Sequence, residues 1–272
     1  MKIVKKSSHL ILSLFIFIVF FFPFLWMFSS SLKTLGETLQ FPPTLFPEDW
    51  QWLNYVDAIQ SMPFWNFLTN SLIVTLTTII LQFITTITAA YAFARYRFVG
   101  EKVMFGLVMV SMMVPGQLTF LTIFVMFAEW EIINTLPTLI LPFAISAFGI
   151  FMLRQTFRSI PNEIIEAAKL DNATEFTVIR KVMLPMAIPT LVTLGLLTFI
   201  GTWNEYFWPL VLTTNNDART LPVGIVAMIN AEDGTNYHTM MASNVLLVIP
   251  ILIIYLFAQR HIIKAFTYSG GR

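Results

Sequence analysis

Apolar residues run for close to twenty positions at a time in six places along the chain, and polar residues collect between the runs. The runs are about Leu10–Ser31, Ser71–Phe93, Val103–Phe127, Leu136–Leu153, Pro189–Leu212 and Thr239–Phe257. At about 1.5 Å rise per residue, roughly 20 apolar residues cross a hydrocarbon layer, so the pattern predicts six transmembrane helices. The fourth run is the shortest and holds Pro137 and Pro142. Prolines are tolerated in spans where neighbouring helices satisfy the freed backbone groups. Pro115 and Pro250 are expected to mark kinks or helix ends for the same reason. Lys2, Lys5 and Lys6 before the first run resemble the start of a signal peptide. That run is too long for a typical signal and no small-x-small cleavage site comes after it, so it is read as a retained anchor.

The polar segments sort by charge. The N-terminus, Arg95–Lys102, Arg154–Lys181 and Arg260–Arg272 hold 14 of the 16 Lys and Arg residues, leaving only Lys33 and Arg219 for the opposite set. Cytoplasmic segments carry the Lys/Arg excess. Both termini and the loops after spans two and four are therefore expected in the cytoplasm. All seven tryptophans fall in the outer half, as an interfacial aromatic belt would place them. The two long polar connections, about 32–70 and 213–238, are then external.

Composition agrees with this picture. Of the 272 residues 57% are hydrophobic and 11% charged, against about 25% charged in soluble domains. Such a chain cannot cover a globule with polar surface, and a single all-α integral membrane domain over 1–272 is expected. A net charge of +1 gives no pull toward nucleic acid, and the absence of cysteine removes disulfides, thiolate metal sites and cysteine nucleophiles.

Motifs for covalent chemistry are missing. There is no G-x-x-x-x-G-K-[ST], G-x-S-x-G or H-E-x-x-H, and His9, His238 and His261 fit no metal spacing. The spans are nearly free of ionisable groups, where proton- or ion-coupled carriers usually place acids, histidines or arginines. A chain that moves a solute without them needs energy from a partner. Glu205 is the one acid inside a predicted helix. It lies roughly 30 Å along a helix from Pro185, and reads either as a solvated interfacial acid or as a group lining the outer mouth of a pathway with Trp203, Asn204 and Trp208.

The most informative stretch lies between spans four and five, from Ser159 to Pro185. It predicts two short helices around a turn. Pro161 suits a first helical turn. Glu163, Glu166, Ala167 and Leu170 share one face by their spacing. The turn is Asp171-Asn172, where Asn tolerates a left-handed backbone, and Asn172 with Glu175 has the spacing of an N-cap pair. Phe176, Ile179 and Met183 are expected on one face of the second helix. A lipid-binding helix favours large apolar and basic groups. Ala167 and Ala168 beside Glu163 and Glu166 instead suit close approach by a partner protein's groove.

The segment Glu166-Ala167-Ala168-x-x-Asp171-Asn172-Ala173, with Leu184-Pro185 and Pro189 after it, resembles the EAA loop of ABC importer permeases, with Asn172 where the family has glycine. The resemblance covers nearly the whole chain and is closest to the carbohydrate-type, maltose-type permeases. Further matching stretches are Phe22-Pro23-Phe24-Leu25-Trp26-Met27, Phe41-Pro42-Pro43, Asn70-Ser71-Leu72, Ala89-Ala90-Tyr91-Ala92, Pro115-Gly116-Gln117, Trp203-Asn204-Glu205 with Trp208-Pro209, and Leu221-Pro222-Val223-Gly224.

This resemblance implies a type I ABC importer transmembrane fold in a bacterial cytoplasmic membrane, working by alternating access. It implies a second permease in a heterodimer, two ATPase subunits that carry ATP and Mg, and an extracytoplasmic solute-binding protein. The chain itself is expected to bind no cofactor. Glu163, Glu166, Ala167, Ala168, Asp171, Asn172, Ala173, Leu184 and Pro185 would form the ATPase-coupling element. The loop holding Asn215, Asn216, Asp217, Leu221, Pro222, Glu232 and Asp233 would meet the binding protein, and the tail from His261 through Gly270-Gly271 would lie against the ATPases. Sugars lead as substrate, ahead of a polyol or a glycerol phosphodiester; the alternative to a purely interfacial belt is that one or two of the tryptophans stack on a sugar ring. The rival readings are a secondary carrier or channel for small polar solutes, which more often shows repeats and discontinuous helices, and a membrane-embedded enzyme, for which the spans offer no paired catalytic groups.

Overall fold

The computed structural model describes residues 2–228 and 236–268, with side chains from 10 to 259 among them. These residues form helices and connecting turns. In chain order the α-helices are α1 (Lys2–Ser31), α2 (Leu35–Leu39), α3 (Asn54–Gln60), α4 (Phe64–Arg95), α5 (Glu101–Ser111), α6 (Phe120–Glu129), α7 (Leu136–Ile140), α8 (Ala147–Ser159), α9 (Asn162–Leu170), α10 (Glu175–Val178), α11 (Leu184–Met186), α12 (Ile188–Trp203), α13 (Phe207–Leu212), α14 (Leu221–Val226) and α15 (Tyr237–Tyr268).

Among the described residues, three stretches are single helices long and apolar enough to cross a membrane: Leu10–Ser31, Phe64–Arg95 and Tyr237–Gln259. The other three are bent pairs. The third expected span is broken between α5 and the segment ending in α6, with a bend of 94°. Val114 precedes Pro115, and a proline disfavours helical backbone in the residue before it. The fourth bends by 43° between Leu136–Phe143 and α8. Before the fifth, Glu175–Met186 meets α12 at 79°. Proline again supplies a cause, because Pro189 in the first turn of α12 has no N–H to carry the ladder across Ala187. The fifth run is itself two helices, since the chain leaves α12 at Asn204 and re-enters α13 at Phe207. Glu205 therefore sits in a break and not inside a helix. Pro250 neither ends nor breaks α15, which continues through it.

The residues pack as two compact units, Met1–Phe67 with Leu221–Pro250, and Leu68–Thr220 with Ile251–Arg272. In the first unit α1 exposes Leu10 through Val19 and its phenylalanines, as a lipid-facing helix would. Its C-terminal carbonyls, orphaned by helix geometry, are met by the loop beyond. The Asn54 amide donates to Ser31 O at 2.9 Å and Lys33 O at 2.8 Å, and Gln51 N–H donates to Leu32 O at 2.9 Å. The buried Lys33 ammonium donates to Thr44 O and lies 4.8 Å from the Trp26 ring centroid. Thr34 and Glu37 form a reciprocal capping box at the start of α2.

In the second unit one core gathers Tyr91, Leu153, Phe157, Ile165, Val178, Met183 and Leu194. Another gathers Val74, Phe127, Leu139, Trp208 and Leu212. The break between α7 and α8 is stabilised from α4: Gln82 Nε2 donates to Phe143 O at 2.7 Å and Thr85 Oγ1 to Ala144 O at 3.0 Å. Ser146 caps α8 by accepting from Gly149 N–H at 3.0 Å. These bonds satisfy the carbonyls that a proline-broken span exposes, as a hydrocarbon environment requires.

Candidate functional site

The segment Ser159–Pro185 folds as a knob of two helices, and its sequence explains each turn. Pro161 is the N-cap residue of α9, with extended backbone, so it stands just before the first helical turn rather than inside it. Only Ile165 of α9 is buried. The helix closes with a Schellman motif: Ala173 N–H donates to Ala168 O at 3.1 Å, and Asn172 N–H to Lys169 O at 3.0 Å. Asn172 occupies the left-handed position, with φ of 56°. Ala168 and Ala173, half-buried, both pack on the core below. Asn172 is thus the residue that ends α9 and not an N-cap of the next helix. That cap is Thr174, whose hydroxyl accepts from Thr177 N–H at 3.3 Å.

The second helix departs from the expected face. Residues Ile179–Met183 form a π-helical turn, which widens the ring by one residue and rotates the positions C-terminal to it. Met183 and Val178 are buried, whereas Phe176 is 70% exposed. The knob's outward surface combines Phe176, Leu170 (85% exposed) and Ile164 with exposed Glu163, Glu166, Ala167 and Asp171. Leu184 is half-buried against the core and Pro185 is exposed, both in α11 directly after the π-helical turn.

Two α4 residues that charge counting and motif matching left without a role hold this knob. Arg95 Nη1 donates to Asn162 Oδ1 at 2.7 Å, and Nη2 donates to Phe157 O at 2.5 Å and Ile160 O at 2.8 Å. A cation thus occupies the C-terminal end of α8, where the helix dipole favours it. One turn earlier on α4, the Tyr91 hydroxyl donates to the Glu175 carboxylate. Lys169 Nζ reaches the same carboxylate at 3.1 Å. A cavity of about 170 Å³ lies among Tyr91, Arg95, Glu166, Lys169 and Glu175. Arg154, expected at the start of the polar loop, is instead buried in α8. It donates to Phe93 O at 3.0 Å, stacks 3.9 Å from the Phe105 ring and pairs with Glu101 at 3.6 Å.

A second candidate is a partly open cavity of about 230 Å³ within the same unit. Glu205 and Trp208 line it with Gln82, Thr198, Thr202 and Thr220. Glu205 Oε1 accepts from Trp208 N–H at 3.2 Å, which starts α13. Trp203 and Asn204 do not line the cavity. Trp203 is buried and stacks on Phe199 with centroids 5.4 Å apart, and Asn204 folds its amide back onto Ile200 O at 2.9 Å. Gln82, Thr198 and Thr220 are polar but not ionisable, so a search for charges inside apolar runs passes over them.

The loop after α13 exposes Asn215, Asn216 and Asp217. Asn134, with φ of 65°, accepts from Thr214 N–H at 2.5 Å, and the Asn70 amide donates to Asp217 O at 2.8 Å. Leu221 and Pro222, expected on the same contact surface, are buried in α14 and present no surface there. Glu232, Asp233, Gly270 and Gly271, and the side chain of His261, lie outside the described residues.

Comparison with known proteins matches these features to one family. Residues 82–268, which contain the knob and the cavity's α12–α13 wall, match the Binding-protein-dependent transport system inner membrane component family, and the chain belongs to it. It is 33% identical over 94% of its length to a diacetylchitobiose uptake system permease of Streptomyces coelicolor, covering 85% of that protein. It is 30% identical over 89% of its length to an arabinooligosaccharides transport system permease of Halalkalibacterium halodurans, again covering 85% of the relative. Among solved structures, a bacterial ABC transporter involved in import of the acidic polysaccharide alginate superposes with a TM-score of 0.84. The identity to that chain is 25%, with 96% of this chain and 97% of that one covered. The chain is an all-helical, multi-pass membrane permease subunit of an ABC importer.

Proposed function

We propose that this permease carries a sugar or oligosaccharide by alternating access, with the knob α9–α10 as the element that receives force from a separate ATPase subunit. The carrying observation is the knob's construction. Its tip is closed by a Schellman motif and left with exposed Leu170 and Phe176 among acids, while its base is tied to α4 by Arg95 and Tyr91. An exposed apolar tip rimmed by charge suits insertion into a partner's groove, and a tied base transmits displacement to a span.

In this reading six spans cross the membrane, three of them bent, and both termini and the knob face the cytoplasm. Two ATPases bind below a heterodimer of permeases, and ATP and Mg reside on the ATPases. A loaded binding protein docks outside, near Asn215–Asp217. ATP and the loaded binding protein shift the population toward the outward-facing state, and hydrolysis resets it. The relatives' substrates, arabinooligosaccharides and diacetylchitobiose, make neutral oligosaccharides the first substrates to try.

The test is ATPase activity and uptake in proteoliposomes holding the chain with its partners, with and without loaded binding protein. Stimulation is expected from the loaded protein, and Glu166→Lys or Ala167→Asp is expected to abolish it. Solute flux in the absence of the ATPase subunits would overturn the reading in favour of a carrier or channel.

A further inference from the structure

The cavity bounded by α4, α12 and α13 has a lining hydroxyl with no partner among the described residues. Thr220 lines it, is 5% exposed, and its hydroxyl has no hydrogen-bond partner. Thr78, one turn from both Val74 and Gln82 on α4, is fully buried without lining the cavity, and its hydroxyl also has no partner. Helical threonines ordinarily donate back to the carbonyl four residues earlier. Thr85, Thr88 and Thr193 do so at 2.8–3.0 Å. A buried hydroxyl left unpaired is costly, and a solute bound in the cavity would relieve that cost at Thr220.

The lining defines what such a solute is. Thr198, Thr202 and Thr220 offer hydroxyls, and Glu205 offers a carboxylate. Gln82 and Thr198 are already joined at 2.7 Å, forming a fixed polar edge. Trp208 and Phe143 supply aromatic wall. Among the described residues, no Lys, Arg or His lines the cavity. Hydroxyl groups both donate and accept and match this set, whereas a phosphate or uronate would meet Glu205 without a compensating cation. The volume, about 230 Å³, is below the roughly 300–1,000 Å³ of drug-sized pockets, which suits one ring rather than a chain.

We propose that this cavity is a subsite for a single ring of a neutral, hydroxyl-rich solute, so that this subunit itself contacts the sugar and disfavours acidic ones. The proposal rests on the importer reading for the solute's presence, and its test keeps the two apart. The chain has no cysteine, so Gly201→Cys places a unique thiol in the cavity wall, where a Cβ meets nothing within 4 Å. In the assembled importer, maleimide labelling of this chain is tracked by mass spectrometry. Arabinotriose or N,N′-diacetylchitobiose in millimolar excess is expected to slow labelling at least tenfold, and an acidic uronate trisaccharide is not. Adding Thr220→Val should weaken the protection about tenfold, and Thr220→Ser should retain it. Equal protection by neutral and acidic probes, or none by either while ATP-driven uptake proceeds, would overturn the proposal. Protection without ATP-driven uptake would sustain it and remove the importer reading instead.

Discussion

Tyr91 at the C-terminal end of α4 and Glu175 at the start of α10 stand 84 residues apart in sequence and share one hydrogen bond, the phenol donating to the carboxylate. The ring is fixed by edge contacts to Tyr96 at 5.9 Å and Phe157 at 6.4 Å. Tyr91→Phe keeps that packing and removes the donor. Hydrogen bonds to charged groups contribute about 1.5–3 kcal/mol, while the half-exposed Lys169–Glu175 pair adds about 0–1 kcal/mol. The variant is expected to lose about 1–2 kcal/mol in denaturant unfolding, and Tyr91→Phe with Glu175→Ala should cost no more than Glu175→Ala alone. Additive losses would show that the two residues do not interact.

Arg95 serves three acceptors from one planar fork. Lysine keeps the charge but not the fork, so Arg95→Lys is not conservative here. It should lower the stability of the permease by about 1–3 kcal/mol and raise hydrogen exchange at Phe157–Asn162 above that of the α12 interior. Unchanged exchange at those amides would remove Arg95 as the knob's anchor.

At Asn172 the left-handed backbone, not the side chain, is what the turn requires. Asn172→Gly is expected to leave stability unchanged or raise it by up to about 1 kcal/mol. Asn172→Val places a β-branched residue at positive φ and should cost about 1–2 kcal/mol. Thermal unfolding of the purified permease distinguishes them. A valine variant as stable as the parent would mean the Schellman turn is absent.

Gly224 in α14 has no room for a methyl group, because a Cβ there overlaps the Phe67 ring and lies 3.3 Å from Met62 Sδ. Gly224→Ala should destabilise by about 1–3 kcal/mol through overpacking. Phe67→Leu in the same chain should recover part of that loss, and a double variant no better than Gly224→Ala would exclude the clash as its cause.

Glu37 links proton binding to the loop after α1. Burial pushes its carboxyl up, but hydrogen bonds from Thr34, Glu48 and Asp49 outweigh this and hold it below its ordinary value of 4.5. A lowered folded value means the unfolded chain binds the proton more readily. Glu37 therefore contributes its full stabilisation above about pH 4.5 and loses it as pH falls through the folded value. In nanodiscs, proteolysis between residues 34 and 50 should accelerate below about pH 4.5 in the parent. Glu37→Gln should be cleaved faster at pH 7 and show less change with acid.

The outline of this protein was legible from its pattern of apolar runs. A bilayer demands about twenty apolar residues per crossing, so Leu10–Ser31, Phe64–Arg95 and Tyr237–Gln259 emerge as helices close to where hydropathy puts them. The knob was legible too, because helix ends depend on local residues, and Asp171-Asn172 falls where α9 stops. Local chemistry did not settle which residue caps which helix: Asn172 closes α9, and Thr174 opens α10.

What only the tertiary structure decided is how the polar groups inside the apolar runs are spent. A proline can kink a helix, break it or pass unnoticed, and the outcome depends on whether neighbours satisfy the freed carbonyls. Gln82 and Thr85 do this for the break beside Pro142, while α15 runs on through Pro250. Glu205 sits where the helix opens after Trp203 and lines a cavity together with Thr220 and Gln82. Periodicity along a chain orders residues on one helix. Which hydroxyl is left without a partner depends on contacts between helices, and those are set by packing.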